Sequence, residues 1–174
     1  MLDSLKYESL IKQHKNSIYN YALYMMKNRM DADDITQEVF IRIWNNIDNF
    51  KYKAAKSWII KTTHNLCIDY LRRNQKKLKR ETHIESEMNI SGTGTLTDTE
   101  VKVRKELLKD RIREGINNLP ENLKSVFVLY ELQGFKYQEI SEALSMPLNS
   151  VKVYLMRARK KLQEDLREYR HETN

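Results

Sequence analysis

Residues 145–162, SMPLNSVKVYLMRARKKL, combine the apolar spacing of a buried helix with a one-sided charge. Val151, Leu155, Ala158 and Leu162 recur every three or four residues, which places them on one side of a helix. The same segment has five cations and no acid, whereas a solvated helix usually mixes both signs. These cations are Lys152, Arg157, Arg159, Lys160 and Lys161. We therefore expect a helix that packs through one side and presents the other to a polyanion.

A short helix and a turn precede this basic helix. The stretch KYQEISEALSM (136–146) has helical spacing, and Pro147 and Leu148 separate it from a helix that we expect Asn149 or Ser150 to cap. A short helix, a tight turn and a longer basic helix form the helix-turn-helix pattern, whose second helix enters the major groove of DNA. The pattern predicts a DNA-binding unit.

The outward side of the predicted recognition helix offers both donors and apolar groups. Lys152 and Arg157 can donate hydrogen bonds to guanine or to phosphate, whereas Val153 and Met156 can contact the methyl group of thymine. The residues predicted to contact duplex DNA are Asn149, Ser150, Lys152, Val153, Met156, Arg157 and Lys160. A solvated basic helix on any helical bundle is the alternative, but it leaves the turn and the absence of acids unexplained.

The overall composition is that of a helical protein. The 174 residues include 32% charged side chains but only 4 Gly and 2 Pro, which favours an all-α fold over a sheet. No apolar run approaches the roughly 20 residues needed to cross a bilayer, and the N-terminus lacks the order of a signal peptide. The single Cys67 has no partner for a disulfide or a zinc site, so we expect it in the core of a cytoplasmic protein.

Charge is sorted along the chain. The formal net charge is +7, but residues 31–48 contain five acids and one Arg, and residues 51–80 contain ten cations and one acid. This separation indicates two kinds of partner, one basic and one polyanionic.

The first 80 residues predict amphipathic helices. Asp31 is expected to cap the second helix, with Asp33 and Asp34 in its first turn, where the helix dipole favours carboxylates. The apolar stripe predicted for this helix is Ile35, Val39, Phe40, Ile43, Trp44 and Ile47. Residues 48–56 interrupt the pattern as a basic loop, and Ser57 is expected to cap the next helix.

A change of character at residues 81–100 predicts a flexible linker. Ser, Thr and Gly cluster there, acids replace cations, and the apolar periodicity ends. We therefore predict two small helical domains, 1–80 and 103–174, joined by a flexible acidic linker at 81–102.

Two long stretches carry a family resemblance. LPENLKSVFVLYELQGFKYQEISEALSMPLNSVKVYLMRARKKL (119–162) resembles region 4 of bacterial sigma factors, and DADDITQEVFIRIWNNIDNFKYKAAKSWIIKTTHNLCIDYLRR (31–73) resembles their region 2. The short spacing between them leaves no room for a folded region 3. The chain is therefore similar to extracytoplasmic-function (group IV) sigma factors of the sigma-70 family.

The resemblance implies a protein that directs core RNA polymerase to particular promoters. In that family an acidic helix face binds a coiled coil of the largest polymerase subunit, and region 4 docks on a flap of the second-largest subunit. The matching acidic positions are Asp33, Asp34, Gln37 and Glu38. The family also implies control by an anti-sigma factor. It implies no catalytic residue, metal, cofactor or small-molecule substrate.

The resemblance also implies two modes of promoter recognition. Region 4 reads the duplex −35 element, and region 2 reads a melted −10 element, holding a flipped base beside the loop NFKYKAAK (49–56). The positions matched to the −10 element are Phe50, Lys51, Tyr52, Lys53, Lys56, Lys61, Asn65, Arg72 and Arg73. The family often has Gly-Thr before the valine of the recognition helix and Arg after it. This chain has Asn149, Ser150 and Lys152 there, so the base preference does not carry over.

Two other functions are compatible with parts of the pattern. A transcription regulator could use the helix-turn-helix alone, with the N-terminal domain for sensing or dimerisation, but this leaves the features around Asn65 unexplained. An enzyme that cleaves DNA would place metal-binding carboxylates in a basic cleft, whereas the acids here lie apart from the cations. Asp34 and Glu38 have metal-ligand spacing, but no His joins them, and acids near a helix start have a simpler explanation.

Overall fold

The structure is a computed structural model that describes residues 2–49, 51–80 and 99–172, and the side chains of 2–49, 51, 54–77 and 105–168. Every regular element in these ranges is helical, which confirms the predicted all-α fold. The elements are α1 (Leu2–Met26), α2 (Arg29–Asn45), a 3-10 turn (Ile47–Asn49), α3 (Tyr52–Arg80), α4 (Thr99–Asn118), α5 (Glu121–Phe127), a π-helical turn (Val128–Leu132), α6 (Tyr137–Leu144) and α7 (Leu148–Glu172).

Helices α1, α2 and α3 pack around one apolar core in the N-terminal part of the chain. Ile18, Val39, Ile43 and Cys67 are fully buried in it. The burial of Cys67 confirms the expectation from the sequence. Burial also raises the pKa of its thiol to about 12, so the sulfur stays protonated and unreactive at neutral pH.

The start of α2 corrects the predicted cap. Asn28, not Asp31, is the N-cap, and its side-chain oxygen accepts hydrogen bonds from the backbone N–H groups of Met30 (2.8 Å) and Asp31 (3.2 Å). Asp31 lies in the first turn and accepts a hydrogen bond from the hydroxyl of Tyr70 on α3. The prediction failed because Asn28 is an equally good cap three residues earlier, and Lys27 ends α1 in the left-handed conformation, with φ of 57°.

Two further predictions in the N-terminal domain are wrong. Trp44 is not in the core: it is 49% exposed and packs edge-on against Tyr7, with the ring centroids 5.2 Å apart. Ser57 does not cap α3, which begins at Tyr52, so most of the predicted basic loop is helical. Lys and Ala between these positions are good helix formers, which explains the earlier start.

The C-terminal domain is built from α4 to α7. Gly134, with φ of 69°, reverses the chain after the π-helical turn, and Ser145, with φ of 52°, does the same after α6. Helix α7 begins at Leu148, so Asn149 and Ser150 lie in its first turn rather than at its cap. The helix starts earlier than predicted because the carbonyl of Pro147 accepts its first hydrogen bonds, from Ser150 N at 2.9 Å and Val151 N at 3.2 Å.

The two helices of the helix-turn-helix pack as expected. Val151, Leu155, Ala158 and Leu162 of α7 are all buried, and α7 contacts α6. Their partners in the core, Ile140, Ala143 and Leu144, are buried as well. The basic side of α7 is therefore left facing outward.

The two domains contact each other. Helix α1 packs on α4, α5 and the π-helical turn, and α3 packs on α6. The predicted linker lies mostly outside the described residues, since 81–98 are not among them; its last residues, 99–102, belong to α4. The side chains that meet between the domains include Lys56, which is described below.

A buried tyrosine and a half-buried histidine join α1 to α3. The Tyr21 hydroxyl lies 2.7 Å from Nδ1 of His64, and the Tyr21 side chain has no exposed surface. Burial lowers the pKa of His64 from 6.5 to about 4. The imidazole is therefore neutral at pH 7, and protonating it in the folded protein is unfavourable.

This histidine makes stability depend on pH. Between pH 6.5 and 4 the unfolded chain binds a proton at residue 64 that the folded chain does not. The stabilisation is present above pH 6.5 and is lost as the pH falls towards 4. From pH 7 to pH 5.5 we expect the free energy of unfolding to fall by about 1 kcal/mol, which urea denaturation followed by circular dichroism would measure.

The variant His64→Asn is the control, because asparagine offers Tyr21 an acceptor that does not titrate. Its stability should change less over the same pH interval. His14 also has a pKa lowered by burial and by Lys56, so both proteins retain that contribution. Equal pH dependence in the variant and the wild type would contradict the prediction.

Candidate polymerase and nucleic-acid interfaces

The acidic residues of α2 form one exposed face. Asp33, Asp34 and Gln37 are exposed, and Glu38 is half-buried. Nε of Arg42 donates to Oε1 of Glu38 at 2.9 Å, between side chains that are each nearly half exposed. The opposite face of α2 is held in the core, so this negative face points towards solvent.

Large apolar side chains extend the acidic face at both ends. Ile41 is 54% exposed, Trp44 is 49% exposed, and Met30 near the start of α2 is 77% exposed. Exposed apolar groups next to charged ones are typical of a protein-binding surface. Sequence reasoning missed these residues, although Ile41 could have been found because it follows Gln37 and Glu38 at helical spacing.

Helix α3 carries the basic, single-strand-binding candidates. Lys61, Asn65 and Arg72 are exposed at spacings of four and seven residues, which places them on one face, and Arg73 is exposed beside them. Lys51 is exposed just before the helix. Lys61, Asn65 and Arg72 thus share one exposed face of α3, whereas only the exposure of Lys51 and Arg73 is established.

Four other residues lie near the predicted −10 site, and the structure describes the side chain of only one of them. Phe50 lies outside the described residues, and so do the side chains of Tyr52 and Lys53, although both residues begin α3. Trp58, on the second turn of α3, is half-buried.

Lys56 departs from the other candidates because it faces the C-terminal domain. Its Nζ donates to Oε1 of Glu139 on α6 at 3.0 Å and lies 4.1 Å from the centre of the Phe135 ring. No local pattern in the sequence indicates this contact, because Lys56 and Glu139 are 83 residues apart in the chain.

The outward side of α7 carries the candidates for duplex DNA. Val153 is 38% exposed and Met156 is 62% exposed, between exposed cations on the same face. These cations are Lys152, Arg157 and Lys160. Asn149 is exposed in the first turn, and Ser150 is half-buried.

An aromatic pair lies beside α7. The rings of Tyr130 and Tyr137 stack with centroids 4.8 Å apart, and Nζ of Lys152 lies 5.9 Å from the Tyr137 ring. Arg159 lies 5.6 Å from the Tyr130 ring and donates from Nε to Glu131 at 2.7 Å. Arg159 thus ties α7 to its own domain, although the sequence grouped it with the cations aimed at a partner.

The part of the chain that the structure describes contains neither a candidate metal site nor a candidate membrane-spanning helix. Within these ranges, no three His, Cys, Asp or Glu side chains come together as metal ligands. No helix described here is long and apolar enough to cross a membrane.

Comparison with known protein families finds two matches. Residues 10–77 match the model of sigma-70 region 2, and residues 109–162 match the model of sigma-70 region 4. These spans contain the acidic face of α2, the basic face of α3 and the exposed side of α7.

Individual proteins are similar over nearly the whole chain. The ECF RNA polymerase sigma factor SigW of Bacillus subtilis is 29% identical, over 95% of this chain and 91% of its own length. The ECF RNA polymerase sigma factor SigE of Mycolicibacterium smegmatis is 26% identical over 96% of this chain, which spans 64% of that relative's length.

A solved structure shares the fold. The sigma factor RpoE of Bartonella quintana, crystallised in complex with the anti-sigma factor NepR, superposes with a TM-score of 0.73 at 18% sequence identity. The match covers 92% of this chain and 96% of the other.

Proposed function

The chain belongs to the sigma-70 family, in its extracytoplasmic-function group, and from this premise we propose that it binds core RNA polymerase and directs it to initiate at a subset of promoters. The observation that carries the proposal is the separation of charge on the folded surface. One exposed helix face is acidic, and two others are basic. A polymerase subunit and DNA are the two partners that this division fits.

The acidic face of α2 is assigned to the polymerase. Asp33, Asp34, Gln37 and Glu38 contact the coiled coil of the largest subunit, and Ile41 and Trp44 add apolar area at the edge of that contact. The C-terminal domain docks on the flap of the second-largest subunit. This division leaves the DNA-facing sides of α3 and α7 uncovered.

The basic faces are assigned to the promoter. The exposed side of α7 lies in the major groove of the −35 element, where Lys152 and Arg157 donate and Val153 and Met156 contact methyl groups. Lys61 and Asn65 contact the melted −10 strand, and flanking cations hold its phosphates. Extracting a base from the stack costs a few kcal/mol, which these contacts offset.

The remaining assignments concern domains and control. We assign residues 1–80 to polymerase and −10 recognition, 103–174 to −35 recognition, and 81–102 to the linker between them. The protein acts in the cytoplasm and has no catalytic step of its own, as expected of a family that is not a family of enzymes. An anti-sigma factor holds it inactive, as NepR is bound to the Bartonella sigma factor.

Run-off transcription tests the function directly. Core polymerase supplemented with the purified protein should give specific transcripts from some fragments of a genomic library that core enzyme alone does not give. Identical products with and without the protein on every fragment would contradict the proposal. Binding of the free protein to duplex DNA, with no effect on polymerase, would instead favour a transcription regulator that uses the helix-turn-helix alone.

A further inference from the structure

The sulfur atoms of the described side chains differ widely in their exposure to solvent. Cys67 is fully buried, and burial raises the pKa of its thiol to about 12, so the thiol stays protonated. Met25 of α1 is buried as well. Met30 and Met156, in contrast, are 77% and 62% exposed. An oxidant dissolved in water therefore meets these two thioethers before it meets the thiol.

Met156 is oriented by the packing of its neighbours on α7. Leu155 and Ala158 are buried in the core of the C-terminal domain, so Met156, which lies between them in the sequence, points away from that core. The second helix of a helix-turn-helix presents its outward side to the major groove, where an apolar side chain can contact the methyl group of thymine. The thioether therefore lies on the surface that duplex DNA would cover.

Two cations flank the thioether on the same face of α7. Lys152 precedes Met156 by four residues and Lys160 follows it by four, and both are exposed. Side chains four residues apart on a helix are neighbours, so each ammonium group can reach position 156. Nζ of Lys160 is 4.0 Å from Oε1 of Glu164, which is too long for a strong hydrogen bond. Because a thioether is only a weak acceptor, the reduced side chain does not hold either ammonium group away from phosphates.

Hydrogen peroxide oxidises such a thioether to a sulfoxide. A lone pair of the sulfur attacks one peroxide oxygen, and the O–O bond breaks as the S–O bond forms. The proton on the attacked oxygen passes to the departing hydroxide, which leaves as water. The sulfur loses two electrons and the peroxide gains them. Methionine sulfoxide reductases reverse the change, with a dithiol as the electron donor and water as the second product.

The sulfoxide replaces an apolar group on this face of α7 by a polar acceptor. Its oxygen carries partial negative charge, so Lys152 and Lys160 can donate to it instead of to DNA phosphates. Covering that oxygen with a thymine methyl group removes its hydration without a hydrogen bond in return. The acceptors on the major-groove edge of guanine repel it as well. All three effects weaken binding to duplex DNA.

Resting on the proposed function, we propose that Met156 is a reversible oxidation site, at which peroxide converts α7 into a form that binds promoter DNA weakly. The fold persists in this form, because the buried stripe through Leu155 is chemically unchanged. Reduction by a methionine sulfoxide reductase restores binding. Met30 lies on α2, so its oxidation leaves the side chains of α7 unaltered.

Two variants of the full-length chain separate Met156 from the rest of the molecule. Met156→Leu keeps apolar volume at this position and cannot form a sulfoxide. Met30→Leu is the matched control, since it removes the other thioether that is more than half exposed in the described part of the chain. Each protein is treated with hydrogen peroxide, the excess is destroyed with catalase, and the treated protein is then assembled with untreated core polymerase.

Each treated protein is compared with its own untreated form. Competition binding of the holoenzyme to a duplex promoter fragment gives the affinity ratio, and peptide mass spectrometry reports oxidation at each of the 7 methionines. Wild type and Met30→Leu should lose affinity roughly tenfold, whereas Met156→Leu should lose less than about twofold. Methionine sulfoxide reductases A and B, one for each sulfoxide epimer, should restore the affinity of the treated wild type.

Polymerase binding and folding are measured on the same samples. Core polymerase is present in saturating amount during the DNA assay, so that weaker polymerase binding, for example through oxidised Met30, does not imitate weaker DNA binding. Circular dichroism detects unfolding. The affinity ratio then reports the contact between α7 and DNA.

Contrary results separate the oxidation site from the proposed function. A loss of affinity as large in Met156→Leu as in the wild type would overturn the site, and so would complete oxidation of Met156 with unchanged binding. Binding that the reductases do not restore would overturn its reversibility. Run-off transcription by the untreated wild type is measured alongside: its absence would overturn the proposed function, whereas its presence with any of the results above would overturn the oxidation site alone.

Discussion

The double variant Lys152→Ala/Arg157→Ala is expected to bind duplex promoter DNA about a hundredfold more weakly, when assembled with core polymerase, than the wild type does. Both side chains are exposed on the leading half of α7. Each donor to a base edge or phosphate contributes roughly 1 to 3 kcal/mol, so the double truncation removes roughly 2 to 6 kcal/mol, a range that includes the about 2.7 kcal/mol of a hundredfold change. The buried stripe through Leu155 is untouched, and the fold should persist.

Competition binding of the holoenzyme to a duplex promoter fragment from the run-off assay would measure this effect. A salt series separates phosphate contacts from base contacts, because the slope of log affinity against log salt becomes shallower by roughly 0.9 for each phosphate that is no longer neutralised. A shallower slope identifies phosphate contacts, and an unchanged slope with relaxed sequence preference identifies base contacts.

Lys161→Ala is the matched control on the same helix. Lys161 is exposed, but it lines a groove between α7 and α4 together with Gly115 and Asp165, away from the proposed DNA face. Removing it deletes one cation without touching the outward face. If Lys161→Ala weakened binding as much as the double variant, net charge rather than the face of α7 would govern affinity.

The α7 face could be predicted because its information is local. A helix repeats every 3.6 residues, so the apolar positions from Val151 to Leu162 determine which side is buried and leave Lys152 and Met156 outward. The same reasoning placed Ile35, Val39 and Ile43 of α2 in the core, where they are observed. Where a stripe is unambiguous, periodicity alone orients the side chains.

Prediction failed where two residues compete for the same position, or where a side chain contacts a residue far away in the sequence. Asn28 and Asp31 are both good caps, and the sequence does not decide between them. Trp44 lies at the edge of a stripe, where packing against Tyr7 decides its exposure. The contact of Lys56 with Glu139 depends on how two domains meet, and no local pattern encodes that.

Reversing two charges on α2, in Asp34→Lys/Glu38→Lys, is expected to lower affinity for core polymerase about a hundredfold. Each reversal replaces attraction to a basic partner with repulsion, and like charges placed opposite one another in an interface cost several kcal/mol. Within the free protein the cost is small, because Asp34 is exposed and Glu38 pairs with Arg42 on the surface. Such exposed pairs contribute about 0.3 to 0.5 kcal/mol.

Affinity would be measured by titrating labelled protein with core polymerase, with thermal unfolding as the check on folding. The control is Glu164→Lys/Glu168→Lys, which makes the same change at the same spacing on an exposed face of α7. It should leave core binding within about twofold of wild type, since surface changes away from an interface have small effects. Equal affinity of the α2 variant and this control would remove Asp34 and Glu38 from the interface.

Ionic strength separates the acidic contact from the apolar one beside it. The Debye length falls from about 10 Å at 0.1 M salt to about 3 Å at 1 M, so the penalty of the charge reversal should shrink sharply. Ile41→Ser, at a side chain that is 54% exposed, deletes apolar contact area without changing charge. Its penalty should stay constant across the salt series, because burial of apolar surface is not screened. If Ile41→Ser carried no penalty at any salt concentration, the exposed isoleucine would lie outside the contact, and the acidic residues alone would hold the polymerase.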